Sequence, residues 1–196
     1  MFDFLERIRR KEIVLPGKIV LLRTLGSRDF KKLKEWFKDP EVMQYGFGTK
    51  TDGVSLQVMV REYEKEIIRH RQNLLGIEVT GVGLIGFLNY FVNTLHAKGK
   101  VGILIGEKEM WGRGYGTDAM TTLLGYLFSE LGLSRVELDT AYFNSRALRC
   151  FEKCGFKRDQ RLTEKDAWDG KNSPKVWMSV TRAEFLNGHK TGTSDS

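Results

Sequence analysis

Glycine alternates with larger residues in Trp111-Gly112-Arg113-Gly114-Tyr115-Gly116, and Thr117-Asp118 then opens an amphipathic run. Met120, Leu123, Leu124, Leu127, Phe128 and Leu131 recur at helical spacing, so the run predicts a helix with one buried face. Alternating glycines let a backbone turn several N–H groups toward one point, and a helix start adds further unpaired N–H groups. Such a loop is an anion cradle, suited to a phosphate or pyrophosphate. The same glycines would also make a plain tight turn before a core helix, and spacing alone does not choose between the two.

Other chemistry-bearing residues follow. Glu137 and Asp139 alternate along a predicted strand, Val136 to Thr140, and therefore share one of its faces. Two carboxylates so placed are candidate proton acceptors, or else partners for Arg135 or Arg146. Asn144-Ser145 is placed to cap a helix running through Cys154, which Gly155 stops. Cys150 and Cys154 are the two cysteines, and their spacing fits neither a disulfide framework nor a paired-cysteine metal site. His70, His96 and His189 fall at a helix end, in a link and in a polar tail, so no metal centre is expected.

Composition bounds the function. The chain has 196 residues, 41% hydrophobic and 29% charged, enough for one globular domain with a sizeable core. The net charge of +7 invites a nucleic-acid partner. However, the basic residues are scattered and mixed with acids, as in Arg61-Glu62-Tyr63-Glu64-Lys65-Glu66, so no nucleic-acid role is expected. A polyanionic small ligand suits the excess charge equally well. No apolar run is long enough to span a membrane, and the N-terminus lacks a leader-like apolar stretch. With two unpaired cysteines, the expectation is a reduced, cytoplasmic protein.

The elements that must position these residues can be read in order. Residues 1–16 form a basic extension, helical over 1–13, whose Phe2, Leu5 and Ile8 suit docking on the body or on a second copy as a homodimer. Lys18 to Thr24 reads as a strand, Ser27 caps a helix through Phe37, and Asp39 caps a further short turn. Tyr45 to Gly53 is a polar, glycine-rich loop, and Ser55 opens a second long helix. Leu74 to Thr80, Val82 to Phe91 and Lys100 to Gly106 follow with short links and predict an antiparallel meander. After the cradle helix come Val136 to Thr140, the Asn144 helix, Phe156 to Thr163 and Val176 to Val180. Residues 17–186 are then one α+β domain, with 187–196 a polar tail.

Lys100 to Gly106, Trp111 to Gly116, Val136 to Asp139, Asn144 to Ala147 and Glu152-Lys153-Cys154-Gly155-Phe156 together resemble the GNAT family of N-acetyltransferases. Leu22-Arg23, Asp39 to Val42, Trp168 to Lys171 and Met178 to Arg182 resemble more narrowly its branch of ribosomal-protein N-terminal and polyamine acetyltransferases. The likeness covers roughly residues 17–186. It implies a mixed, mostly antiparallel sheet, splayed at the cofactor site, with helices on both faces. It also implies acetyl transfer from acetyl-CoA to a primary amine, on a small molecule or a protein N-terminus.

By the same resemblance, Trp111, Gly112, Arg113, Gly114, Tyr115, Gly116 and Thr117 would hold the pyrophosphate. Main-chain groups near Leu104 and Gly106 would bind pantetheine and the thioester carbonyl, with Asn144, Ala147, Phe151 and Lys153 along the cofactor. Three positions depart from the pattern: Trp111 replaces Gln or Arg, Phe151 stands where many relatives have a proton-donating Tyr, and Lys100 stands where the branch often has Glu. Glu137 or Asp139 would be the base.

Two other readings remain at this point. A CoA-binding or regulatory protein would keep the fold without the chemistry, as the loss of Tyr at Phe151 allows. A dinucleotide site would use Gly112 and Gly114, but Thr117 occupies its third glycine position.

Overall fold

The computed structural model describes residues 12–26, 28–47, 73–159 and 175–190. The predicted extension helix (residues 1–13), apart from Glu12 and Ile13, lies outside these residues, as do the second long helix, Trp168 to Lys171 and the end of the tail.

The meander forms as its alternating apolar pattern predicts. Strands β1 (Val14–Pro16) and β2 (Leu21–Thr24) pair around the Gly17 turn, so residues 14–16 belong to the sheet and not to an extension. Helix α1 spans Asp29–Trp36, and α2 (Pro40–Phe47) follows at once. Asp39 caps α2, its carboxylate accepting the N–H of Glu41 at 2.9 Å and of Val42 at 3.3 Å. Residues 45–47, read as loop from their composition, are the last turn of that helix. β3 (Asn73–Val79) and β4 (Gly83–Asn93) make the expected hairpin, and β5 (Lys98–Ile105) completes the meander.

Helix α3 (Tyr115–Ser129) crosses to β6 (Arg135–Ala141), and α4 (Ser145–Lys153) leads on to the short β7 (Lys157–Arg158). β8 (Lys175–Thr181) and α5 (Arg182–Lys190) close the chain. The eight strands lie in the order β1-β2-β3-β4-β5-β6-β8-β7. Every neighbouring pair is antiparallel except β5 with β6.

Strand alternation separates two cores. Leu75, Ile77, Val101, Val136 and Leu138 pack with α3, α4 and α5 on one face, while Leu74, Phe87 and Leu104 pack with α1 and α2 on the other. α3 buries Ala119, Met120, Leu123, Leu124, Leu127 and Phe128 completely. Each large side chain so buried contributes roughly 1.5–3 kcal/mol, which outweighs the ~1 kcal/mol lost at an interior glycine such as Gly125. The helix is therefore fixed by packing rather than by propensity. Its first turn is tied to the β1–β2 turn through Asp118, whose carboxylate accepts the N–H groups of Lys18, Ile19 and Val20.

Candidate active site

The parallel pairing of β5 with β6 covers Lys98–Lys100 against Arg135–Glu137 and then stops. Beyond Lys100 the two strands part, leaving a gap in the middle of the sheet. A cleft of ≈ 260 Å³ lies along the parted edge of β5, from Ile103 to Ile105, and reaches the start of α3 and α4.

Ladder parity decides which backbone groups face the gap. Gly106 donates its N–H to Ile85 at 2.9 Å, and the β4–β5 register is unbroken behind it. Alternation then turns Leu104 toward β4 as well, and leaves the main-chain groups of Ile103 and Ile105 facing β6. The expectation for Leu104 and Gly106 is corrected accordingly: the free edge belongs to Ile103 and to the N–H of Ile105, whose carbonyl is taken by the indole N–H of Trp111. Leu104 still lines the cleft with its side chain. Gly106 instead lies under Trp36, where any Cβ would collide with the indole ring.

The cradle has the form that anion binding needs. Gly112 (φ 75°) and Gly114 (φ 88°) adopt left-handed angles, and α3 begins without a side-chain cap. Its first intrahelical bond of this turn, Asp118 N–H to Gly114 C=O at 3.0 Å, leaves the N–H groups of Tyr115, Gly116 and Thr117 without partners in the helix. A side chain at Gly116 would fill the cleft floor beside Cys150 and Ile103. These features fit a pyrophosphate-bearing cofactor.

Trp111, Gly112, Gly114, Gly116, Thr117, Asn144, Ala147, Phe151 and Lys153 line the cleft. Arg113 is exposed, and Tyr115 packs against the main core. The Thr117 hydroxyl donates to Cys150 Sγ at 3.5 Å, so in this geometry the residue offers the cleft its backbone N–H. Asn144 is 6% exposed and held twice: Oδ1 accepts from Ala147 N–H at 3.1 Å, and Nδ2 donates to the Tyr45 carbonyl at 2.9 Å. It caps α4 and ties it to α2.

On α4, Arg146 and Arg149 join Lys153 at the cleft, a grouping not expected from the sequence. Arg146, Arg149 and Lys153 are spaced i, i+3, i+7, form one stripe, and all line the cleft. That spacing was the available signal. The Arg146 guanidinium lies 3.9 Å from the Trp111 ring centre and 4.4 Å from that of Tyr45. The stack joins α2, the cradle and α4 around one charge.

Neither proposed base lines the cleft. Glu137 accepts from Arg135 Nε at 2.7 Å. Asp139 lies between Lys100 Nζ at 2.7 Å and Lys175 Nζ at 2.9 Å. Burial pushes the Asp139 carboxyl up, but the two ion pairs outweigh it and hold it below the usual carboxylate range. A carboxylate so stabilised is a weak proton acceptor, and Glu137 is tied to Arg135 outside the cleft, so this geometry does not support the expected base role of either residue.

Cys150 is half-buried on the cleft wall. Its proximity to the Cys154 thiol, with help from the Thr117 hydroxyl and the Lys153 ammonium, brings its own thiol down to about 7 against the opposing effect of burial.

The profile of the acetyltransferase (GNAT) domain matches residues 20–157. The chain belongs to that family. As a GNAT protein it is an N-acetyltransferase that takes its acetyl group from acetyl-CoA and gives it to an amine. The spermidine N(1)-acetyltransferase of Vibrio cholerae serotype O1 is 24% identical to it over 167 residues, 85% of this chain and 95% of that one. An aminoglycoside N(6')-acetyltransferase type 1 of Klebsiella pneumoniae is also 24% identical, over 85% of each chain. A crystal structure of the V. cholerae spermidine N-acetyltransferase with CoA and spermine superposes with a TM-score of 0.70, at 24% identity. It covers 87% of this chain and 100% of that one. The GNAT sheet places its splay where β5 and β6 part.

Proposed function

We propose that this GNAT protein transfers the acetyl group in one step to a primary amine on a small molecule, with no acetyl-enzyme. The observation that carries the reading is the three-residue β5–β6 pairing, with an uncapped glycine-cradled helix at the open end of the gap. Bound acetyl-CoA supplies the activated acyl group as a thioester. In this reading the N–H groups of α3 and the stripe Arg146, Arg149 and Lys153 hold its phosphates, and the free edge at Ile103 and Ile105 holds its pantetheine arm.

Cys150 is set aside as a nucleophile because it packs beside Gly116 and Thr117, at the phosphate end and away from the vertex of the gap. The spermidine and aminoglycoside names of its relatives support a small amine over a protein N-terminus. Phe151 offers no proton, so the departing thiolate takes one from solvent. No helix among the described residues is long and apolar enough to cross a membrane. A cytoplasmic location and a homodimer extend the proposal, to be tested by fractionation and sedimentation. The central test is CoA release over an amine panel, with mass spectrometry of the acetylated product. CoA binding without turnover on any amine would instead support the non-catalytic, CoA-binding reading.

A further inference from the structure

Lys100 and Glu137 are the last paired residues before the strands separate, so they mark the vertex of the gap. Register places Asp139 opposite Trp177 and Ala141 opposite Lys175. Because Val136 and Leu138 face α3 and α4, alternation turns Lys100, Asp139, Trp177 and Lys175 to the opposite side of the sheet. There Asp139, only 13% exposed at its side chain, is covered by two ammonium groups that remain open to solvent, Lys100 at 49% and Lys175 at 33%. Lys100 Nζ also lies 4.6 Å from the centre of the Trp177 ring, whose buried indole N–H has no hydrogen-bond partner among the described residues. The cluster thus has two ammoniums and an orphan N–H set against one carboxylate. It is short of acceptor atoms and carries a surplus positive charge. Glu137, the neighbouring carboxylate on this face, is engaged by Arg135, which also reaches Asp159 and Ser179.

On the reading of this cleft as an acetyltransferase site, we propose that the acceptor is a primary amine carrying a carboxylate or phosphate near the amino group. Lys100 and Lys175 receive the anion at the vertex, and this aims the amine at the gap between the strands. Trp177 forms the apolar side of the same seat. A polycation would meet two ammoniums whose shared carboxylate is already spent. The anion belongs to the same small molecule as the amine, and an acidic residue beside a peptide N-terminus is the rival source that the test distinguishes.

The test uses the full chain with acetyl-CoA and matched acceptors. O-Phosphoethanolamine is compared with ethanolamine, β-alanine with β-alaninamide, a peptide beginning Ala-Asp with one beginning Ala-Asn, and spermidine stands as the polycation. CoA release gives kcat/KM for each, corrected for the fraction of free amine. The anionic member of at least one pair is expected to lead its neutral partner and spermidine by roughly tenfold or more, and the pair that does so identifies the source. Lys100→Gln and Lys175→Gln should remove that preference through KM, and Lys100→Glu should reverse it, with CoA affinity unchanged in all three.

A second readout does not depend on turnover. The acetylated product of the leading anionic acceptor should raise the melting temperature of the CoA complex, and that of its neutral partner should not. Equal rates within every pair, a preference for spermidine, or no stabilisation by the anionic product would overturn the acceptor assignment alone. Failure of CoA itself to stabilise the folded chain would instead remove the acetyltransferase reading on which it rests.

Discussion

The indole N–H of Trp111 donates to the carbonyl of Ile105 at 2.8 Å, so the side chain at the mouth of the cradle secures the last free edge of β5. The aromatic residue in the loop's first position thereby joins the two surfaces a CoA molecule must bridge. Trp111→Phe keeps a ring for Arg146 but strands that carbonyl, and should lower stability by about 1 kcal/mol. Trp111→Ala also removes the stacking face and should weaken CoA binding further. Thermal melts and calorimetric titration separate the two effects, and equal CoA affinity in both variants would mean that the Arg146 stack plays no part in binding.

Gly114 and Gly116 should fail for different reasons. At φ 88° an alanine at Gly114 costs roughly 1–2 kcal/mol of backbone strain, so Gly114→Ala should lower the melting temperature even without CoA. A Cβ at Gly116 meets Cys150 Sγ at 3.6 Å and Ile103 Cδ1 at 3.7 Å, which are ordinary contacts. Gly116→Val should therefore still fold cooperatively while its methyl groups fill the cleft and abolish the CoA-induced shift. A normal shift in that variant would reduce the loop to a turn.

The pH profile should be set by the acceptor. Glu137 and Asp139 are both held in ion pairs, so the amine arrives already deprotonated from solvent. With an acceptor pKa of about 10, kcat/KM should rise about tenfold per pH unit from pH 6 to 9 without levelling near neutrality. Glu137→Gln should leave that slope intact. A plateau near pH 7 that disappears in Glu137→Gln would restore the carboxylate as base.

Alkylation offers a direct view of the cleft wall. Because the Cys150 thiol is brought down to about 7, its reaction with iodoacetamide should climb through neutral pH, well below an ordinary cysteine at about 8.5. Saturating CoA should protect it, and the alkylated protein should lose CoA binding. Cys150→Ala should keep most turnover. Isolation of an acetylated Cys150 able to pass its acetyl group to an amine would replace direct transfer with a covalent route.

Acid should loosen α5 in a defined window. Thr181 and Glu184 form a reciprocal cap: Glu184 N–H donates to Thr181 Oγ1 at 3.3 Å, and the Glu184 carboxylate accepts from Thr181 N–H at 2.9 Å. Lys157 Nζ lies 2.9 Å from the same carboxylate and, with Thr181, holds it down to about 2 from an ordinary 4.5. A depressed carboxyl contributes stability fully above 4.5 and loses it as pH falls toward 2. Glu184→Gln should remove that part of the acid transition in a pH-dependent melt, and Thr181→Ala should cost about 1 kcal/mol near neutrality.

Much of the site was legible because it depends on local rules. The glycine loop, the cap at Asn144 and the stop at Gly155 each follow from a few adjacent residues. The Thr181-x-x-Glu184 cap that opens α5 is equally local. What local pattern could not provide is partnership. Which of Leu104 and Ile105 exposes its backbone depends on the neighbouring strand's pairing, not on either side chain. The second hold on Asn144 comes from Tyr45, 99 positions away, and the anchor of Asp118 from Lys18 to Val20 is as remote. The lysines that occupy Asp139 likewise reach it from two different strands.

The narrow join between β5 and β6 also bears on the order in which the molecule assembles. Strands β1 to β5 succeed one another in the sheet in the order in which they are synthesised, each antiparallel to the last. Within that half, β3 to β5 are joined by short links, although β2 reaches β3 across a long connection that pairs Leu21 with Glu78, while β6 can take its place only after α3 has closed the parallel crossover. A nascent chain can thus complete its meander well before it owns a cofactor cleft. Capture on immobilised CoA during refolding therefore times closure of the crossover, and should lag behind the appearance of strand signal in circular dichroism.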